Sequence, residues 1–195
     1  MFDFFYNRDM RYKKEEVSAI DKICLATTRL ILVKDYHSLT NSDIIKEAKV
    51  SRSTFYIYFK NKEQILIYIC DHIFDHIFSK NLYKEKNHDF SKHGNDDLKN
   101  ILIHSFYHFS EEGELVLSIL DSGASSIFLK RLRSRLKTLI VSLIDNKIIG
   151  HNDIPMDIKV HQYINGYTSL LQYFLRHATD IKPETIADYY FTLYK

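Results

Sequence analysis

An all-α fold is predicted by three observations. Gly and Pro are scarce, at 5 and 2 of 195 residues, so long stretches carry no breaker. Apolar residues recur at three- and four-residue spacing along most of the chain. No segment reads as a strand, and no internal repeat is present. About nine helices are expected. They divide into an N-terminal helix-turn-helix domain of three helices over residues 1–61 and a C-terminal helical bundle over residues 62–195.

The first helix is predicted from about Tyr12 to Val33, with Val17, Ile20, Cys24, Leu25, Thr28, Ile31 and Leu32 at helical spacing. Residues 35–38 connect it to a second helix of about Asn41 to Ala48, which Thr40 or Asn41 can cap. Ser51 is a good N-cap for a third helix ending near Tyr58. Asn61 then caps a long fourth helix, roughly Lys62 to Tyr83. Residues 84–96, KEKNHDFSKHGND, are polar and read as a loop or linker. Further helices are predicted at about 97–111, 114–121, 124–147, 157–178 and 184–194. Breaks are expected at Gly113, Asp121 to Gly123, Gly150 to Pro155, and Thr179 to Pro183. Pro183 suits a first helical turn, where its missing N–H costs nothing.

Composition bounds the function classes. Hydrophobic residues make up 45% and charged residues 27%, as in a soluble globular protein. Cys24 and Cys70 are far apart in helical patterns and suit neither a disulfide framework nor a metal-ligand pair, so a reducing cytoplasm is expected. The N-terminus lacks a signal-peptide core, and no run approaches the roughly 18 apolar residues of a membrane span. The formal net charge is only +2, but its distribution is uneven: residues 1–62 carry +4 and residues 63–195 carry −2. There is no Gly-rich phosphate loop, nucleophile motif or acid pair, so an enzyme is not expected and no cofactor is implied.

The basic part holds the segment LTNSDIIKEAKVSRSTFYIYFKNK, residues 39–62. Ile44 and Ile45 are placed to bury the second helix, Ala48 to allow a close crossing, Val50 to plug the turn and Phe55 to close the core. The exposed face of the third helix then carries Arg52, Ser53, Thr54 and Tyr56. Such a pair of helices places the second in the DNA major groove. Arg52 is the best candidate for base reading, because a guanidinium can grip guanine O6 and N7 together. Tyr56, Tyr58 and Lys62 are expected to clamp phosphates. Thr40, Asn41 and Ser42 offer hydroxyls and free N–H groups to another phosphate.

The pattern L-T-x3-I-x3-A-x-V-S-x-S-T-F-Y-x-Y-F-x-N-K-E resembles the DNA-binding domain of the TetR family of bacterial transcriptional regulators. The resemblance covers roughly residues 12–70 and implies that Thr40, Asn41, Ser42, Arg52, Ser53, Thr54, Tyr56, Tyr58 and Lys62 match DNA-facing positions. Two departures stand out: Lys49 where the family often has Gly at the turn, and Ser53 where it often has Gly. A left-handed Lys49 would cost on the order of 1 kcal/mol against Gly.

The resemblance implies that the C-terminal bundle binds an effector, a small molecule of unknown identity, and supplies a homodimer interface. The stretch from Tyr163 to Leu175, with Pro183, Ile186 and Ala187, weakly resembles a subtype that includes the regulator of dihydroxyacetone kinase operons. Phe106, Tyr107, Phe109 and Phe128 are candidates to line the effector pocket, ordinary core being the competing reading. Ile164, Leu171, Phe174, Leu175, Ile186, Tyr190 and Leu193 are candidates for a two-fold interface, against completion of a monomer core. Two histidine pairs, His72 with His76 and His104 with His108, have the i, i+4 spacing of metal ligands. Asp71, Asp75 and His161 are conceivable partners. The fifth-helix pair falls toward the polar side, so solvated or capping histidines are expected and no metal site is predicted. Lys130, Arg131, Arg133, Arg135 and Lys137 read as the solvated face of a long helix.

The expected function is a sequence-specific transcriptional regulator, a repressor that binds a palindromic double-stranded DNA operator as a homodimer. Control by a protein partner or a metal ion is the alternative to a small organic effector.

Overall fold

A computed structural model describes residues 18–78, 89, 98–150, 153–177 and 180–194. Nine helices and no strand occur among the described residues. They are α1 (Ala19–Val33), α2 (Asn41–Ala48), α3 (Arg52–Tyr58), α4 (Lys62–Ile77), α5 (Leu98–Glu111), α6 (Gly113–Leu120), α7 (Ser125–Asp145), α8 (Met156–Arg176) and α9 (Pro183–Tyr194). The predicted extensions of the first helix toward Tyr12 and of the fourth toward Tyr83, and the 84–96 linker apart from Asp89, lie outside the described residues.

Local chemistry sets the helix boundaries. Ser18 caps α1 by accepting the Asp21 N–H at 3.1 Å. Thr40 and Asp43 form a reciprocal capping box on α2: the threonine hydroxyl accepts from the Asp43 N–H, and the carboxylate accepts from the Thr40 N–H at 2.9 Å. Lys49 ends α2 in the left-handed region, with φ 54°. Ser51 caps α3 through the Thr54 N–H at 3.0 Å. The Asn61 side chain accepts the Gln64 N–H at 2.9 Å, while Gln64 reaches back to the Lys60 N–H at 2.8 Å. Pro183 opens α9.

The chain forms two compact units. One comprises the chain up to Ile73 together with Glu114–Phe128; the other comprises Phe74–Gly113 and the chain from Leu129 onward. Helices α4 and α7 thus give residues to both. In the first unit, α1 packs on α2 and α3, and Ile23, Ile31, Leu39, Ile44, Phe55, Phe59 and Ile65 are buried. The turn between α6 and α7 meets the α1–α2 loop at Gly123. A Cβ at Gly123 would fall 1.8 Å from His37 Nε2, so only glycine allows this approach as it stands.

The second unit is built on α5, α8 and α9. Phe106 lies 5.0 Å from the Tyr167 ring and meets Phe174 edge-on at 5.6 Å. Two buried hydrogen bonds satisfy its tyrosines: Ser105 with Tyr167 at 2.6 Å, and the Tyr190 hydroxyl donating to the Tyr163 carbonyl at 3.1 Å. Burial pushes both the Tyr167 and Tyr190 hydroxyls well above the usual phenol range.

This packing takes up most of the residues expected at a two-fold interface. Ile164, Leu171, Phe174, Leu175, Ile186 and Tyr190 are all buried within the single chain. The apolar stripes of α8 and α9 are consumed by their own core, and of that set only Leu193 stays outside, at 66% exposure.

Candidate nucleic-acid interface

The helix-turn-helix is assembled as its residues require. Ile44 and Phe55 are fully buried and Ala48 nearly so, which lets α2 and α3 share one core with α1. The opposite side of α3 faces solvent. Arg52 and Ser53 are exposed, as are Tyr56 and Tyr58, while Thr54 is half-buried. Among the described residues no hydrogen bond or ion pair engages the Arg52 guanidinium, so its five donors are available to a ligand. The Ser53 and Thr54 hydroxyls are each 2.8 Å from Ser51 Oγ, a small network that orients the first turn of the helix.

On α2, Ser42 is exposed. Asn41 is half-buried, and its amide donates to the Lys60 carbonyl at 3.4 Å, joining the start of α2 to the loop after α3. Thr40 is exposed but spends its hydroxyl on the cap, donating to Asp43 at 2.8 Å. The Asp43 carboxylate also receives the Lys34 ammonium at 2.7 Å. The Lys34 and Thr40 hydrogen bonds hold the Asp43 carboxyl far below the usual carboxylate range.

Lys62, expected to clamp a phosphate, is engaged within the chain. Its ammonium donates to the carbonyls of Tyr36 at 2.6 Å, His37 at 3.1 Å and Leu39 at 2.8 Å. It also sits 4.7 Å from the center of the Tyr36 ring. An ammonium has three donors, and all three are used inside the unit. Lys62 therefore anchors the α1–α2 loop to the start of α4.

One surface feature escaped the sequence reading. Ile57, on α3 between two exposed tyrosines, is 75% exposed. An isoleucine so placed on a recognition helix matches the apolar contact made to thymine methyl groups. Its signal was its misfit: it is an apolar residue off the buried phase set by Phe55 and Phe59. Lys46, Lys49 and Lys60 are also exposed and add positive charge to the module.

The effector candidates are packed side chains. Phe106 and Phe109 are fully buried, Phe109 against Phe74 at 6.1 Å. Tyr107 is half-buried and donates to Glu184 of α9; burial first and then that carboxylate push its hydroxyl up to about 12. Phe128, also buried, belongs to the other compact unit. A groove of about 490 Å³ lies elsewhere, lined by Lys130, Arg133, Ser134 and Lys137 of α7 and by His161, Ile164 and Asn165 of α8.

The histidines also differ from expectation. His104 and His108 are buried, at 1% and 4% exposure, instead of lying on a polar face. The reason is that α5 is covered nearly all round, with Ile101, Leu102, Ser105, Phe106 and Phe109 buried as well. His72 stacks on Tyr68 at 6.2 Å, whereas His76 lies 4.5 Å from the His108 ring. Of the conceivable partners, Asp75 pairs with Arg135 at 2.5 Å and His161 lies against Asn165. Cys24 and Cys70 are both buried, and burial, aided by Asp21, pushes the Cys24 thiol up to about 12.

An all-helical chain whose buried helix-turn-helix core leaves a polar recognition helix in solvent is a DNA-binding transcriptional regulator. Residues 23–69 match the bacterial regulatory proteins of the tetR family, and residues 96–195 match a transcriptional regulator C-terminal region. The chain belongs to the TetR family.

Two relatives share part of its sequence. It is 33% identical over 81 residues to the dhaKLM operon transcriptional activator DhaS of Lactococcus lactis, covering 42% of this chain and 41% of that protein. It is 34% identical over 61 residues to the HTH-type regulator YuxN of Bacillus subtilis, covering 31% of this chain and 21% of that one. The matches thus span about two fifths and one fifth of those relatives. A TetR regulator from Streptococcus agalactiae has the same fold, with a TM-score of 0.72 and 26% identity over 90% of this chain and 92% of its own. No helix among the described residues is long and apolar enough to cross a membrane.

Proposed function

We propose that this TetR-family regulator is a cytoplasmic repressor that binds a palindromic operator as a homodimer and is modulated by an effector. The reading head is residues 1–61, and residues 62–195 serve dimerisation and sensing. The observation that carries the reading is the solvent face of α3. Arg52, with no partner among the described residues, stands beside Ser53, Tyr56 and Ile57, above a core that fixes the helix. One such helix touches only a few base pairs, so specificity requires a second copy on a second half-site. With most of the predicted dimer residues inside the chain, the exposed Tyr173, Tyr189 and Leu193 of α8 and α9 become the candidates for that contact.

DNA upstream of the chain's own gene is the first probe. Arg52→Ala should weaken specific binding by about 1–3 kcal/mol, roughly 5- to 150-fold, and relax preference at one position, with unfolding unchanged. Tyr56→Phe should weaken it less. Equal affinity in both variants would refute the site. A reporter fused to that promoter decides the sign of regulation. Repression is the expected result, and a fall in expression on deletion would instead match the activator role named for DhaS.

A further inference from the structure

Three histidines of the second unit converge on one point. His104 and His108 stand at positions i and i+4 of α5 and so share one of its faces. His76 comes from the last turn of α4. One ring nitrogen from each lies within 4.8 Å of the other two. His104 and His108 are buried and His76 is half-buried.

The groups behind two of the rings fix their tautomers. His104 Nδ1 lies 3.2 Å from the Ile77 carbonyl oxygen, which can only accept. That nitrogen therefore carries the hydrogen, and a neutral ring presents a lone pair at Nε2. His108 Nδ1 lies 3.2 Å from the Glu111 carboxylate, with the same consequence. The two Nε2 atoms face one another at 2.9 Å. At that distance one proton is shared when His108 is an imidazolium backed by Glu111, and with both rings neutral the two lone pairs converge on a point where a cation is held by both. A carbonyl and a carboxylate behind the rings are also the usual backing of metal-ligating imidazoles.

We propose that His76, His104 and His108 form a binding site for one divalent transition-metal ion, with zinc as the fitting ion. An all-nitrogen set does not suit calcium or magnesium, which take oxygen ligands, and it does suit zinc and its neighbors. Tetrahedral zinc with bonds of about 2.0–2.1 Å needs ligand nitrogens about 3.3 Å apart. The His104–His108 pair opens by a few tenths of an ångström to reach this, while His76 closes in from the half-exposed side. Three histidines leave the fourth position to water. The ion ties the last turn of α4 to α5. The site uses residues of these two helices alone and does not depend on how DNA is bound.

The test uses the full chain without a histidine tag, stripped with chelator and titrated with zinc chloride and, separately, cobalt chloride. One equivalent should bind, with a visible cobalt spectrum of a four-coordinate nitrogen site and a raised melting temperature. His76→Ala removes a half-buried ligand without opening the core and should weaken binding at least about tenfold. Glu111→Ala should weaken it by a similar factor through the His108 tautomer. His104→Gln should abolish the spectrum; circular dichroism reports whether that variant folds, and His76→Ala decides the matter if it does not. Unchanged affinity in His76→Ala and Glu111→Ala would assign the binding to other histidines and overturn the proposal. A chain that takes up no metal, with nitrogen NMR showing one proton shared between His104 and His108, would overturn it as well.

Discussion

Replacing Lys62 with methionine separates an anchor from a DNA contact. Methionine keeps most of the aliphatic stem over Tyr36 but removes the charge and all three donors. The hydrogen bonds to Tyr36 and Leu39 are part-buried, and the one to His37 is exposed. Water can therefore replace the third at little cost, while the first two leave carbonyls poorly satisfied. Bonds to a charged donor contribute about 1.5–3 kcal/mol each. Partial resolvation lowers that, and the lost cation–π contact adds about 0.5–1 kcal/mol. A net loss of about 2–4 kcal/mol follows, equivalent to a melting temperature lower by roughly 4–16 °C for a chain of this size. Urea and thermal unfolding followed by circular dichroism measure it, alongside operator binding by fluorescence anisotropy. The expected variant is destabilised, yet near wild type in DNA affinity at a temperature where it remains folded. A variant with unchanged stability and greatly weakened DNA binding would refute the anchor and restore the phosphate contact.

Three other outcomes are expected. Because Lys34 and Thr40 hold the folded Asp43 carboxyl below its unfolded value, the stability it contributes is whole above about pH 5 and is lost as pH falls through the carboxylate range; urea midpoints against pH should show an acid limb that Asp43→Asn flattens. Lys49→Gly relieves a left-handed lysine and should stabilise the chain by about 0.5–1 kcal/mol, read as a higher urea midpoint. Gly123→Ala drives a methyl group into the His37 imidazole, an exposed ring that must turn aside, and should cost about 0.5–1.5 kcal/mol in unfolding free energy. Adding His37→Ala should recover most of that loss, a coupling that a double-mutant cycle measures.

What the sequence disclosed was local. The caps at Thr40, Ser51 and Asn61, the left-handed Lys49 and the first-turn Pro183 each depend on a few neighboring residues, and each stands where the residues point. What stayed hidden depends on distant partners. The acceptors of Lys62 lie 23 to 26 positions upstream, so nothing beside it marks it as internal. Helical periodicity put His104 and His108 on a polar face because it treats histidine as a surface residue, whereas α5 is enclosed by other helices. The apolar stripes of α8 and α9 show that a surface is covered without showing by what. Ile164 and Phe174 are covered by their own chain.

Ile57 bears on how discrimination would be recognized in a calorimeter. A hydrocarbon side chain standing 75% exposed on α3 gains nothing from a phosphate backbone. Seated against thymine methyls, it would leave water only on the right sequence. Such burial releases no counterions and carries a negative heat-capacity change. Specific and non-specific complexes of this protein should therefore differ in heat capacity. The share of affinity that Ile57→Ser removes should persist at high ionic strength, where the contribution of the lysines has faded.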